Sequence, residues 1–166
     1  MSTLLLDAEA IYADLLKGVQ KLLRPDAALV GIWSGGAWLA ERLQSDLGLA
    51  GSAGVISSSL HRDDFGSRGM SASADHTKLP FDVSGRHILL IDDVLFTGRT
   101  TRAVINELFD FGRPASVTLA VLVDRGGREL PIEPAFSAAR INLAAEQRLR
   151  LAKDADGRFQ FDLKED

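Results

Sequence analysis

Asp92 and Asp93 are neighbouring carboxylates that close the apolar run Ile88-Leu-Leu-Ile91, and Thr97-Gly98-Arg99-Thr100-Thr101 follows shortly after. Adjacent carboxylates repel, and the repulsion is eased by one proton, by a divalent cation or by paired hydroxyl donors such as those of a ribose. The hydroxyl-rich segment precedes a helical pattern, so its backbone N–H groups, its hydroxyls and a guanidinium collect at the positive end of a helix dipole. This composition suits an anion. Gly98 lets the backbone come close to phosphate oxygens or adopt a positive φ. A helix cap or a surface ion pair explains either aspartate alone. The pair and the loop together point to a site that holds a sugar diol at one end and a phosphate at the other.

The surrounding elements must put this segment at the edge of a sheet. Apolar residues from Asp7 to Leu23 recur at helical spacing, with Asp7 placed as the N-cap. Arg24-Pro25-Asp26 breaks that helix, and Ala28 to Trp33 reads as a buried strand. Ser34-Gly35-Gly36 then turns the chain into a second amphipathic helix, Ala37 to Leu43. Val55 to Leu60 is β-prone, and the polar stretch His61 to Ser84 reads as a flexible active-site loop. His87 to Ile91 is a strand, Thr100 to Phe111 a helix and Ser116 to Val123 another strand. Asp124 to Arg140 looks irregular. Arg148 to Leu151 and Arg158 to Leu163 alternate like half-exposed strands of a small hood or flap. The alternation of strand and helix predicts an α/β fold, a mainly parallel open sheet flanked by helices, in one domain spanning residues 1–166.

Composition excludes several classes of function. With no cysteine there are no disulfides, thiolate metal sites or Cys nucleophiles. A formal charge of −4 argues against a protein whose main work is coating nucleic acid. No apolar run reaches the roughly 18 residues needed for a membrane span, and no leader pattern opens the chain, so a soluble cytoplasmic protein is expected. His61, His76 and His87 show no ligand spacing and read as solvated or core residues, while Trp33 and Trp38 read as core or interface. Gly31 lies three residues before Ser34, one too many for a hydrolase nucleophile elbow. Dinucleotide and Walker glycine patterns are also missing.

The segment Ile88 to Thr100 resembles the phosphoribosyl diphosphate motif of type I phosphoribosyltransferases. Phe111 to Gly126, Arg128-Glu-Leu-Pro-Ile132, Leu29-Val-Gly-Ile32 and Leu60-His-Arg-Asp-Asp64 are similar to the PyrR family, and the similarity covers most of residues 5–165. Members of that family are uracil phosphoribosyltransferases, and some bind RNA to attenuate pyrimidine operons. The resemblance implies conversion of uracil and phosphoribosyl diphosphate to UMP and diphosphate. It assigns Asp92, Asp93 and Arg62 to catalysis. Ser34, Gly35 and Gly36, with Val94, Leu95, Phe96, Thr97, Gly98, Arg99, Thr100 and Thr101, would hold the sugar phosphates. Val123, Asp124, Arg125 and Leu149 would surround the uracil. Mg²⁺ would arrive with the diphosphate, near Asp92 and Asp93, without dedicated protein ligands. Arg62 and Arg68 are flap candidates for the diphosphate, Arg68 reading better as a solvated cation, and a homo-oligomer of two or more copies is implied.

Two departures from the family pattern bear on function. Many members carry Arg where this chain has Gly35, which predicts activity with a weakened diphosphate contact that Gly35→Arg would tighten. RNA-binding members place basic residues where Glu133 and Ala139 stand here, which predicts weakened RNA binding. Arg125, Arg128, Arg140, Arg148 and Arg150 could form a different basic patch, although solvated faces and acidic pairing explain them more simply.

Overall fold

The computed structural model describes residues 6–58 and 76–165. Helix α1 (Ala8–Leu22) begins where Asp7 accepts a hydrogen bond from the Ala10 N–H at 3.1 Å. Strand β1 (Ala28–Ile32), helix α2 (Gly35–Asp46) and strand β2 (Gly54–Ile56) follow. Strand β3 (His87–Leu95) leads to helix α3 (Arg99–Phe109), strand β4 (Ser116–Asp124) and strand β5 (Phe136–Arg140). A hairpin of β6 (Gln147–Lys153) and β7 (Phe159–Glu165) completes the fold.

The main sheet has the order β2-β1-β3-β4-β5 and is parallel throughout. Both of its faces are covered, as a parallel sheet requires. Leu29, Leu89, Ile91, Ala120 and Leu122 pack on one face against Leu15 and Val19 of α1, Leu39 and Leu43 of α2, and Leu149, Leu151 and Phe159 of the hairpin. The alternate residues Val30, Ile88, Leu90, Leu119 and Val121 pack on the other face against Val104 and Leu108 of α3. One strand therefore serves two cores, which explains why these segments are apolar without interruption.

Three differences from the sequence reading have physical causes. Strand β3 continues through the acidic pair to Leu95, because β4 supplies ladder partners as far as Leu95↔Asp124. Strand β5 lies inside the segment expected to be irregular. Its Ser-Ala-Ala composition carries little β signal, but β4 pairs with it and Phe136 packs so closely on Gly18 that a β-carbon there would lie 2.4 Å from the ring. The stretch from His76 to Ser84 is anchored, since Val55 and Lys78 form a bridge and Leu79, Phe81 and Val83 join the second core. Arg62, Arg68 and the part of the expected loop up to Asp75 lie outside the described residues.

The hairpin is tied down by one polar node. Arg42 of α2 donates to both Glu9 carboxylate oxygens at 2.8 and 2.9 Å and to the Gly157 carbonyl at 2.8 Å. Glu9 also accepts the Phe159 N–H at 2.6 Å. The Arg42 guanidinium lies 3.7 Å from the centre of the Phe159 ring. Two helices and the hood are thus joined through a single ion pair.

Candidate functional site

Strand β1 sends the chain through α2 to β2 on one side, whereas β3 sends it through α3 to β4 on the other. The sheet therefore has its topological switch point between β1 and β3, and in such sheets the crevice at the carboxyl ends of those two strands binds ligands. The Ser34-Gly35-Gly36 turn leaves β1 there, and Asp92 and Asp93 sit in the adjacent end of β3.

Asp92 is buried, with its Oδ1 accepting the Asp93 N–H at 2.8 Å. Burial pushes its carboxyl well above the usual carboxylate range, and the neighbouring charge of Asp93 adds to the shift. Asp93 is half-buried. Its Oδ1 accepts the Val94 N–H at 2.8 Å, and its Oδ2 receives the Leu151 N–H of the hood at 3.4 Å. One carboxyl is thus held toward the neutral state by burial, while its half-buried neighbour is in contact with the hood.

The Ser-Gly-Gly turn approaches this pair as closely as atoms allow. A β-carbon on Gly36 would lie 2.3 Å from the Ile91 carbonyl oxygen, and one on Gly35 would lie 2.4 Å from Asp93 Oδ2. Gly36 is therefore needed for α2 to begin against the β3 backbone, whereas a side chain at position 35 requires the Asp93 carboxylate to shift. The Ser34 side chain makes no capping hydrogen bond, so it does not block the first N–H groups of α2. Gly98, at φ 94°, plays the corresponding part at the start of α3, again without a side-chain cap bond. Thr97 Oγ1 accepts the Arg99 N–H at 3.2 Å. The Thr101 hydroxyl is buried without a hydrogen-bond partner among the described residues.

These parts enclose a cleft of about 260 Å³ lined by Ile32, Trp33, the stretch from Asp92 to Gly98, Thr100 and Thr101. Among the described residues, its lining carries two carboxylates and no basic side chain. Arg99 is exposed and forms an ion pair with Glu129. The N-terminus of α3 and the threonines Thr97, Thr100 and Thr101 share this cleft with the acidic pair, so it offers donors to an anion at one end and acceptors to hydroxyls at the other.

The four residues expected around a base are placed differently from one another. Val123 is buried in the first core and Leu149 packs in the same cluster. Asp124 is occupied by Arg128, whose Nη2 lies 2.7 Å from Oδ2, and by the Gly126 N–H at 2.9 Å. Although burial pushes the Asp124 carboxyl up, these partners hold it below the usual range. Arg125 donates to the carbonyls of Gln147 at 2.7 Å and Ala144 at 2.9 Å, and its guanidinium lies 3.9 Å from the centre of the Phe96 ring. Arg128 also donates to the Phe96 carbonyl at 2.9 Å. Phe96, which lines the cleft, is thus fixed through its ring and its backbone by two arginines.

Trp33 reads from sequence as a core or interface residue, yet it is 41% exposed and forms part of the cleft wall. Its position directly before the Ser-Gly-Gly turn is the available signal. Hydropathy alone argues for burying an indole and so conceals it.

The phosphoribosyl transferase domain family matches residues 4–145. Two relatives, both named bifunctional protein PyrR, match over most of their length. The protein of Ralstonia nicotianae is 51% identical over 97% of this chain and 96% of its own, and that of Nitrosococcus oceani is 44% identical over 88% and 86%. The chain belongs to the PyrR family of type I phosphoribosyltransferases. Among solved structures, the hypoxanthine phosphoribosyltransferase of Trypanosoma cruzi superposes with a TM-score of 0.61 at 20% identity, covering 86% of this chain and 83% of that one. A Bacillus anthracis hypoxanthine-guanine phosphoribosyltransferase gives 0.63 at 13% identity, covering 86% and 83%. At such identities the likeness is one of fold, the PyrR likeness being carried by sequence. Among the described residues, no helix is long and apolar enough to cross a membrane.

Proposed function

We propose that the protein is a uracil phosphoribosyltransferase that makes UMP and diphosphate from uracil and phosphoribosyl diphosphate. The observation that carries this reading is the convergence of the Asp92–Asp93 pair with the glycine-started N-terminus of α3 in one cleft. In the reaction the bond from C1′ to the diphosphate oxygen breaks, a bond from C1′ to N1 of uracil forms, and the N1 proton departs. Positive charge develops on the sugar, so orientation and nearby negative charge matter more than any single acid or base.

Asp93 faces the ribose hydroxyls and accepts their hydrogen bonds. Asp92 lies behind it and holds its backbone through the 2.8 Å bond to the Asp93 N–H. The Thr97 to Thr101 loop takes the 5′-phosphate, and the buried Thr101 hydroxyl can turn to that anion. The Ser34-Gly35-Gly36 turn presents its N–H groups to the diphosphate. The PyrR resemblance implies a cation carried by the diphosphate, which the acidic pair would steady. When bound, Mg²⁺ supplies charge neutralisation for the leaving diphosphate. Phe96, clamped by Arg125 and Arg128, forms the wall beside the reacting carbon. The identity of the base rests on the PyrR resemblance, and main-chain groups at the end of β4 would read the pyrimidine edge.

A second reading, a nucleotide-responsive RNA-binding regulator, is favoured by the word "bifunctional" in the relatives' names and by Arg148 and Arg150 on the exposed face of β6. It draws no support from Arg125 and Arg128, whose guanidiniums are engaged inside the fold. A homo-oligomer belongs to the same proposal and is read by sedimentation.

The deciding experiment supplies the purified chain with Mg²⁺, phosphoribosyl diphosphate and, in turn, uracil, orotate, hypoxanthine or guanine. UMP formation from uracil well above the other products is expected. No UMP from the wild-type chain would overturn the reading.

A further inference from the structure

We propose that His76 is a diphosphate-binding residue, with Trp33 as the positioning residue that holds its imidazole at the lip of the cleft. The two rings stack with centroids 4.1 Å apart and planes inclined by 12°. This inference rests on reading the cleft as a phosphoribosyl diphosphate site, and it adds a contact that the family resemblance does not assign.

The cleft carries a charge imbalance among its described residues. The described cleft lining holds two carboxylates and no basic group, although the ligand it suits is a polyanion. The Ser34-Gly35-Gly36 turn carries no side-chain cation, and a β-carbon on Gly35 would require the Asp93 carboxylate to shift. Arg99, on the phosphate loop, is drawn to Glu129. Among the described residues, a side-chain donor for the diphosphate end, additional to the Arg62 and Arg68 candidates, must therefore come from another element that reaches this turn.

His76 is such a donor. Trp33 immediately precedes the turn, lines the cleft and bears the imidazole on its face. The backbone on both sides of the stack is fixed. The Trp33 N–H donates to the Ile56 carbonyl at 2.9 Å, and Thr77 Oγ1 accepts the Ser57 N–H at 3.1 Å. Lys78 and Val55 exchange two backbone hydrogen bonds of 2.7 and 2.8 Å. His76 is therefore held against Trp33, the residue just before the Ser-Gly-Gly turn, by its immediate neighbours and by an aromatic face. That face favours a cationic ring as well as a neutral one. An imidazole donates an N–H in either protonation state, and so can serve a phosphate oxygen in both. The arrangement also accounts for an indole left 41% exposed at this position.

The test uses steady-state kinetics and binding on the full chain. His76→Phe keeps an aromatic partner for Trp33 but removes the donor. It should raise KM for phosphoribosyl diphosphate about tenfold, with kcat and the uracil KM within about twofold. Trp33→Leu should shift the same KM in the same direction, the double variant should be no worse than the poorer single one, and Trp33→Phe should restore most of the affinity. Titrating tryptophan emission with magnesium diphosphate in the absence of base should give a signal that Trp33→Phe, which retains Trp38, loses. An unchanged KM for phosphoribosyl diphosphate in both His76→Phe and His76→Gln would overturn the proposal. So would an equal loss in kcat and in both KM values together with lowered thermal stability, the mark of a merely structural pair. If His76→Phe weakens diphosphate binding while no variant or wild type makes UMP, this inference stands and the uracil reading fails. If UMP forms and diphosphate affinity is unaltered in the His76 variants, the uracil reading stands and this inference fails.

Discussion

Gly35 and Asp93 occupy adjoining space so tightly that a β-carbon on the first would lie 2.4 Å from Oδ2 of the second. The Ser34-Gly35-Gly36 turn and the Asp93 carboxylate, proposed to hold the diphosphate and the ribose, are therefore set by one contact. Any side chain at position 35 must first move Asp93.

The contact makes Gly35→Arg a composite experiment. The guanidinium adds a charge partner for diphosphate, whereas the β-carbon displaces the carboxylate that faces the sugar. Gly35→Ala isolates the second effect and should lower kcat about tenfold or more, in line with the sensitivity of catalysis to ångström-scale misplacement. Against that alanine variant, Gly35→Arg should lower KM for phosphoribosyl diphosphate. If Gly35→Ala retains full kcat, the contact does not govern the site.

Asp92 should trade stability for activity. Burial and the charge of Asp93 raise its carboxyl in the folded protein, so the proton is bound more tightly there than in the unfolded chain. Such a group favours folding at low pH and loses that contribution as pH rises through its folded value. At pH 7 its ionisation thus opposes the fold. Asp92→Asn should raise Tm at neutral pH by a few degrees, for a gain on the order of 1 kcal/mol, and the gain should shrink toward pH 4. Activity should fall by about a hundredfold, and by more with Asp93→Asn added. Calorimetry across pH decides it, and a lowered Tm at pH 7 would contradict the assignment.

The hood depends on Arg42. Burial pushes the Glu9 carboxyl up, but the Phe159 N–H and Arg42 outweigh it and hold the group below its ordinary value. A depressed carboxyl stabilises the fold above its unfolded pKa and loses that contribution as pH falls through the folded one. Arg42→Met leaves Glu9 part-buried without its cation and should lower stability by about 2 kcal/mol at pH 7, with the difference narrowing below about pH 4. Adding Glu9→Gln should recover part of the loss, since the two residues act on each other. Denaturant titrations of the four proteins in this cycle measure it. Strict additivity would show that the pair does not hold the hood.

The order of strand and helix is legible in the sequence because Ile88 to Ile91 and Leu119 to Val123 serve two cores and so carry unbroken apolar character. The acidic pair and the Thr-Gly loop stand out in the sequence because adjacent carboxylates repel each other, and the fold brings both to one cleft. Features that depend on partners distant in sequence are not. Strand β5 exists through its pairing with β4, which its Ser-Ala-Ala residues do not announce. Arg125 looks available to a base or to RNA, but the carbonyls of Ala144 and Gln147 take its guanidinium. Hydropathy assigns Trp33 to the interior, because nothing local reveals that it borders a cleft.

The face of the hood offers a separable test of RNA binding. Leu149 and Leu151 turn inward from β6, so Arg148 and Arg150 turn outward, and the β7 register sets Lys164 opposite the first and Asp162 opposite the second. The result is a small face with net positive charge, remote in sequence from Asp92 and Asp93. Arg148→Glu with Arg150→Glu should leave UMP synthesis within about twofold of wild type. Affinity for a pyrimidine-operon leader transcript, measured with uridine nucleotide by gel shift at low salt, should fall tenfold or more. The slope of log affinity against log salt should become shallower by about two. Glu133, exposed on the loop before β5, opposes a phosphodiester in the same experiment, so Glu133→Lys should strengthen whatever binding the wild type has. If wild type and Glu133→Lys both fail to retard the transcript, the regulatory reading falls while the enzymatic one is untouched, because the two draw on different surfaces of the same fold.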